Sequence, residues 1–253
     1  MATGSSLAQS LRRVFTMSPK VRSVGLNCHR TNATVSYAEP TTLLITCMDR
    51  RVNPDVYLKM DLGSTFILRN PGNFVPHAAD VPTSQSSSEL AALEMTVNML
   101  NLKNIIVCGH SDCKAIHTLR GLKQCCVPPE AHQGPLATWL KTGGKRTWYK
   151  YLTEQQKEGY HTMFSNISDS RFMSRLDPES KLCTEDRISQ INVLQQIENI
   201  CSHNFLQDTL RGNSVQLQGM WVDVHDQTTH IFNWQKMRFI EVQNVKEQVH
   251  DRT

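Results

Sequence analysis

Short apolar runs and longer helical stripes alternate along this chain. "TTLLITC" (41–47) is brief, apolar and β-branched, the pattern of a strand buried on both faces, and it gives way to the polar cluster "MDRRVNPD". "STFILRN" (64–70) reads as a second strand, closed by Pro71-Gly72-Asn73. In "SSSELAALEMTVNMLNL" (86–102) serines offer an N-cap, and Leu90, Leu93, Val97 and Leu100 fall at helical spacing. "KNIIVCG" (103–109) is a third apolar strand. Strand, helix and strand in that order predict a crossover and a parallel sheet.

A helix over 112–122 follows, and 123–183 has no clear period. "TEDRISQINVLQQIENICSHNFLQDTL" (184–210) predicts one long helix: Thr184 can cap it, Glu185 and Asp186 suit its positive end, and Ile188, Ile191, Leu194, Ile197 and Cys201 line one face. "SVQLQGMWVDVHDQTTHIFNW" (214–234) alternates on both sides of "HDQT", the pattern of an antiparallel hairpin at a sheet edge. The expected fold class is α/β, a mainly parallel central sheet flanked by helices with a C-terminal antiparallel edge hairpin.

Charge alters the picture at one end. Residues 1–38 carry Arg12, Arg13, Lys20, Arg22 and Arg30 and no acid, leaving the body near neutrality although the formal net charge is +4. This Ser-rich segment, with Leu7, Leu11, Val14 and Phe15 on one helical stripe, has the composition of a mitochondrial transit peptide or of a disordered basic tail. The expected organisation is a flexible basic extension over 1–38 and one folded domain over 39–253. Mitochondrial localisation is expected, with the cytoplasm as the alternative. No apolar run approaches the roughly 20 residues of a membrane-spanning helix, and no basic patch is interleaved with aromatic residues, so neither membrane nor nucleic acid is expected as a partner. Eight cysteines in a chain of 253 residues without a secretory signal predict reduced thiols and, for a few, a metal.

Ligands of open parallel sheets bind beyond the carboxyl ends of the strands. The first strand ends at Cys47, and the third runs into His110 and Cys113. Neighbouring strands would bring two thiolates and an imidazole to one point, a donor set suited to zinc. No second C-x2-C or H-x3-H pair closes the shell, and three protein ligands with an open fourth position mark a catalytic site, where bound water's pKa drops from 15.7 to about 7. Asp49 and Arg51 lie at i+2 and i+4 from Cys47: the carboxylate can accept a hydrogen bond from the bound water or swing in to the metal, and the guanidinium can grip it bidentately. Cys108 is expected in the core, Cys125 and Cys126 as spare thiols, His77 in a loop, and Trp139 and Trp221 as packing anchors. A redox-sensing thiol protein is a third reading of the cysteines.

The pattern C-x-D-x-R (Cys47-Met48-Asp49-Arg50-Arg51) followed by H-x2-C (His110 to Cys113) resembles the β-class carbonic anhydrases, and "FILRNPGNFVPH", "ELAALE", "GPLATWL" and "EDRISQINVLQQIEN" look like their animal branch. The resemblance spans about residues 41–240. It implies zinc-dependent interconversion of carbon dioxide and bicarbonate by attack of a hydroxide formed at the metal. It also implies Cys47, His110 and Cys113 as ligands, Asp49 with Arg51 as the catalytic dyad, Phe66 at a substrate-pocket position, and a homodimer, sometimes paired into tetramers, that builds the cleft between subunits. Arg50 stands where the family often has Ser, and Pro71 where a small residue is usual. These departures leave a non-catalytic zinc scaffold as the alternative.

Overall fold

The computed structural model describes residues 37–58, 61, 63–82, 85–124, 133–155, 161–165, 171–212 and 214–242. Residues 1–36 of the expected 1–38 extension and the Cys125-Cys126 pair lie outside them. Six strands form one sheet in the order β2 (Thr65–Asn70), β1 (Thr42–Cys47), β3 (Asn104–His110), β6 (Gln216–Val222), β7 (Thr229–Asn233), β8 (Arg238–Glu241). The first four are mutually parallel, and β7 and β8 are antiparallel. β1 and β3 are direct neighbours, with Thr46 opposite Cys108. The residues of β1 are all buried, as expected of an apolar strand between two others.

Alternation along β3 divides the interior. Ile105 and Val107 join the main core with Leu43 and Ile45, whereas Ile106 and Cys108 meet Leu44, Met220 and Val222 on the other face. Cys108 is therefore a buried small hydrophobe, its thiol pushed up to about 12 by burial.

Two helical stretches depart from the sequence expectation. The helix over 86–102 is α-helical only at α2 (Ser88–Leu93), capped by the Ser87 hydroxyl, and continues as a π-helix over Glu94–Met99. The wider turns shift the phase of the apolar stripe, so Leu93 and Val97 are buried while Leu100 is 47% exposed. The stretch 184–210 forms two helices, α6 (Thr184–Cys201) and α7 (Asn204–Arg211), with Cys183 rather than Thr184 at the first N-cap. The break is tertiary in origin: His203 is extended and its Nε2–H donates to the Pro76 carbonyl at 2.8 Å. The expected C-terminal antiparallel hairpin is present as β6 and β7, joined by β8 at one edge of the sheet, with β2 at the other; β6 also pairs parallel with β3.

The aperiodic stretch contains α4 (Pro135–Gly143), α5 (Lys145–Gln155) and a separate antiparallel pair, β4 (His161–Ser165) with β5 (Arg171–Arg175). Two shorter helices, α1 (Pro54–Leu58) and α3 (Lys114–Lys123), follow β1 and β3. Among the described residues, no helix is long and apolar enough to cross a membrane.

Candidate metal centre

β1 and β3 end side by side, which puts Cys47 on the last residue of one and His110 on the last residue of the other; Cys113 follows as the N-cap of α3. The ligating atoms of these three lie within 4.8 Å of one another, and all three residues are buried. The two sulfurs are 3.9 Å apart. Tetrahedral zinc with Zn–S bonds of about 2.3 Å holds two sulfurs about 3.8 Å apart, so the observed pair already has that spacing.

The imidazole is prepared in the same way. His110 Nδ1 lies 2.8 Å from the Ser111 carbonyl, which only accepts, so Nδ1 carries the proton and the Nε2 lone pair is free. Nε2 is buried without a hydrogen-bond partner. An orphaned buried acceptor facing two thiols is otherwise costly, and a cation relieves it. Ser111 is itself fixed: its N–H donates to the Val222 carbonyl, and its hydroxyl donates to Asp223 and accepts from the Val224 N–H.

The thiols share their proton unequally. The Cys47 sulfur accepts from Cys113 and from the Gly72 N–H at 3.5 Å, and these bonds, the first above all, lower its pKa to about 4 against the opposing effect of burial. The shared bond to Cys47, with burial, pushes Cys113 well above the usual range. One proton on two sulfurs is what an incoming dication displaces. Gly72 can approach because it has φ +86°, and a Cβ there would sit 2.7 Å from the Phe74 ring.

Beside the sulfurs, Arg51 Nε and backbone N–H both donate to Asp49 Oδ1 at 3.0 Å, and Nη2 donates to Oδ2 at 2.7 Å. This grip, chiefly the side-chain bonds, holds the Asp49 carboxyl down at about 2. Asp49 thus faces Arg51 and is not part of the metal-ligand cluster. Arg69 staples the same loop by donating to the carbonyls of Cys47, Asp49 and Val52, so it caps the strand end. A cleft of about 240 Å³ opens over the centre, lined by Cys47, Met48, Asp49, Pro71, Lys114, Ala115, Thr118 and Leu136.

The family model for carbonic anhydrase matches residues 42–229. Beta carbonic anhydrase 1 of Caenorhabditis elegans is 38% identical over 80% of this chain and 77% of its own length. The chain belongs to the β-class carbonic anhydrases. The namesake from Caenorhabditis briggsae is 37% identical over 81% of this chain and 78% of its own. In fold, the chain is similar to the β-carbonic anhydrase CcaA, with a TM-score of 0.62 at 23% identity over 82% of this chain and 79% of that one. It is also similar to one of two tetrameric β-carbonic anhydrases of Sordaria macrospora, with a TM-score of 0.54 at 22% identity over 81% and 82%.

Within this β-carbonic anhydrase fold, the five residues expected around the metal come together from two strand ends. Phe66 is placed elsewhere, half-buried on β2 against the main core and outside the lining of the cleft. His117, seven residues after His110, faces Asp112 at 3.1 Å and Glu185 at 3.8 Å and is also outside that lining. Trp139 donates to the Pro71 carbonyl and packs on Phe74, and Trp221 is buried with its N–H on Ser189, both anchors as expected. The unexpected participant is Asp112, which receives Arg51 on the side away from Asp49. Its only sequence signal was a short acidic residue directly before a ligand, a position suited to the left-handed turn it adopts, φ +49°.

Proposed function

We propose that Cys47, His110 and Cys113 hold a zinc ion and that Asp49 and Arg51 order the reacting water beside it, for reversible hydration of carbon dioxide to bicarbonate and a proton. The observation that carries the reading is the buried His110 Nε2, unpartnered and facing two sulfurs 3.9 Å apart. Bound zinc would supply Lewis acidity, lowering the pKa of a coordinated water to about 7.

The chain's own residues do the rest. Asp49 stays ionised at neutral pH and, with Arg51 on both oxygens, keeps lone pairs only in fixed directions. It therefore orients a water proton without moving. Met48, Pro71, Ala115 and Leu136 give the cleft apolar walls for an uncharged, apolar substrate. A homodimer, or a tetramer of paired dimers, is supported by apolar side chains left in solvent near this cleft and on the edge strand β2, with Met48 61% and Ile67 44% exposed. Phe66, on that same edge strand, would serve as a pocket wall across such an interface. The acid-free composition of residues 1–38 supports mitochondrial import; fusing them to a fluorescent protein tests it.

Stopped-flow carbon dioxide hydration, with zinc quantified per chain, tests the reading. Cys47→Ser and His110→Ala should lose metal and activity, and Asp49→Asn should keep metal and lose most turnover. Full activity in metal-free Cys47→Ser protein would overturn it, and a zinc-loaded wild type without turnover would leave a scaffold instead.

A further inference from the structure

We infer that Asp112 is a positioning residue that holds Arg51 from the side opposite Asp49, so that the dyad is aimed by a triad spanning two strand ends. The inference deepens the role given above to Asp49 and Arg51. Asp49 and Arg51 belong to one loop, two residues apart, and a contact so local can swing as a unit. Asp112 comes from the loop after β3, 61 residues away in sequence. Its carboxylate Oδ2 accepts from Arg51 Nη1 at 2.7 Å, and its backbone carbonyl accepts from Nη2 at 2.9 Å. With Nε and Nη2 on Asp49, the guanidinium is bound along two edges, and its plane is set by both loops.

Asp112 is in turn prevented from turning. Both its carbonyl and its carboxylate reach Arg51 because the residue is left-handed, φ +49°, a conformation that Asp tolerates better than most. Its N–H, freed by that turn, donates to Asp186 Oδ1 at 2.7 Å at the start of α6. Its other oxygen, Oδ1, takes Lys114 Nζ at 2.9 Å and lies 3.1 Å from His117 Nε2. The carboxylate is thus held at both oxygens and its backbone at both polar groups, the signature of a group that orients another.

The test is Asp112→Asn, which keeps the shape and one acceptor but removes the charge that grips Arg51. Zinc per chain should be unchanged, the KM for carbon dioxide little moved, and kcat lower by about 10- to 100-fold, the usual effect of losing an orienting partner. Combined with Arg51→Gln, Asp112→Asn should cause no further loss, because it acts through Arg51. In a crystal structure of Asp112→Ala, the guanidinium should leave one or both Asp49 oxygens. Multiplying losses, a guanidinium still seated on Asp49, full kcat in Asp112→Asn, or loss of zinc from that variant would each overturn the assignment. The crystal structure separates this outcome from failure of the proposed function, since Arg51 can be located whether or not the wild type turns over.

Discussion

Gly109→Ala should strain the contact that places His110. Gly109 sits in β3 directly before the histidine and opposite Trp221 of β6. A Cβ there would stand 2.6 Å from Val193 Cγ2 and 3.2 Å from Ser189 Oγ, both on α6. The first distance is far inside van der Waals contact, so helix or strand must shift. Overpacking of this kind costs about 1–3 kcal/mol, and at roughly 2–4 °C per kcal/mol for a chain of this size the Tm should fall by about 2–12 °C. The same displacement reaches the metal centre, because Ser189 Oγ donates to the His110 carbonyl at 2.8 Å and receives the Trp221 indole N–H at 3.2 Å. Calorimetry of the zinc-free protein and a chelator competition for zinc should both report a loss. Because Val193 Cγ2 is the clashing atom, Gly109→Ala with Val193→Ala should be less damaging than the two single effects summed. An unchanged Tm in Gly109→Ala, or strict additivity in the double variant, would refute the argument.

Asn192→Leu should destabilise the protein by at least about 3 kcal/mol in urea denaturation, because it strands three buried groups: the Gly72 carbonyl, the Thr147 hydroxyl and the Gln196 amide. A loss under 1 kcal/mol would mean that water replaces them, on the scale of about 1–3 kcal/mol per stranded group. Burial lowers the pKa of His203, so the neutral ring is favoured in the fold. The stability this confers is present above the unfolded pKa, near 6.5, and is lost as pH falls through the folded value. His203→Gln should therefore flatten the fall in denaturation midpoint between pH 7.5 and pH 5.5, about one unit either side of the unfolded value; an unchanged slope would assign that loss to other groups.

Local pattern carried much of this fold. β1, β2 and β3 are short apolar runs because each is packed between neighbours or against the core, and a strand end that delivers a soft ligand is visible one residue at a time. The metal-ligand cluster was legible because sulfur and imidazole at two strand ends have few other uses together. What stayed hidden depends on distant partners. The break at Ser202-His203 needs the Pro76 carbonyl, 127 residues away. The π-helix depends on the intervening turns widening, which i+3/i+4 spacing in "ELAALEMTVNML" does not reveal. Asp112, at the start of the expected helix over 112–122, gave no sign of its role because Arg51, its partner, precedes it by 61 positions.

The same dependence on distant partners shows in α6, whose apolar face is buried as expected but whose polar positions are buried too. Fourteen of its 18 residues are buried, and they include Ser189, Gln190, Asn192, Gln195, Gln196 and Asn199, which a helix covering one sheet face would turn to solvent. The polar positions have a task instead. Asp186, Ser189 and Asn192 recur every three residues, on one face. Asp186 holds the Asp112 N–H, Ser189 the His110 carbonyl, and Asn192 the carbonyl of Gly72, whose N–H meets the Cys47 sulfur. Each contact supports a different part of the centre: the dyad, the imidazole ligand and a thiolate ligand. Rigid spacing along one helix thereby fixes the relative positions of loops that are far apart in sequence, which a hydrophobic face could not do, since apolar contacts are not directional. Buried polar side chains are expensive unless each is satisfied, and here the satisfaction is the architecture of the site.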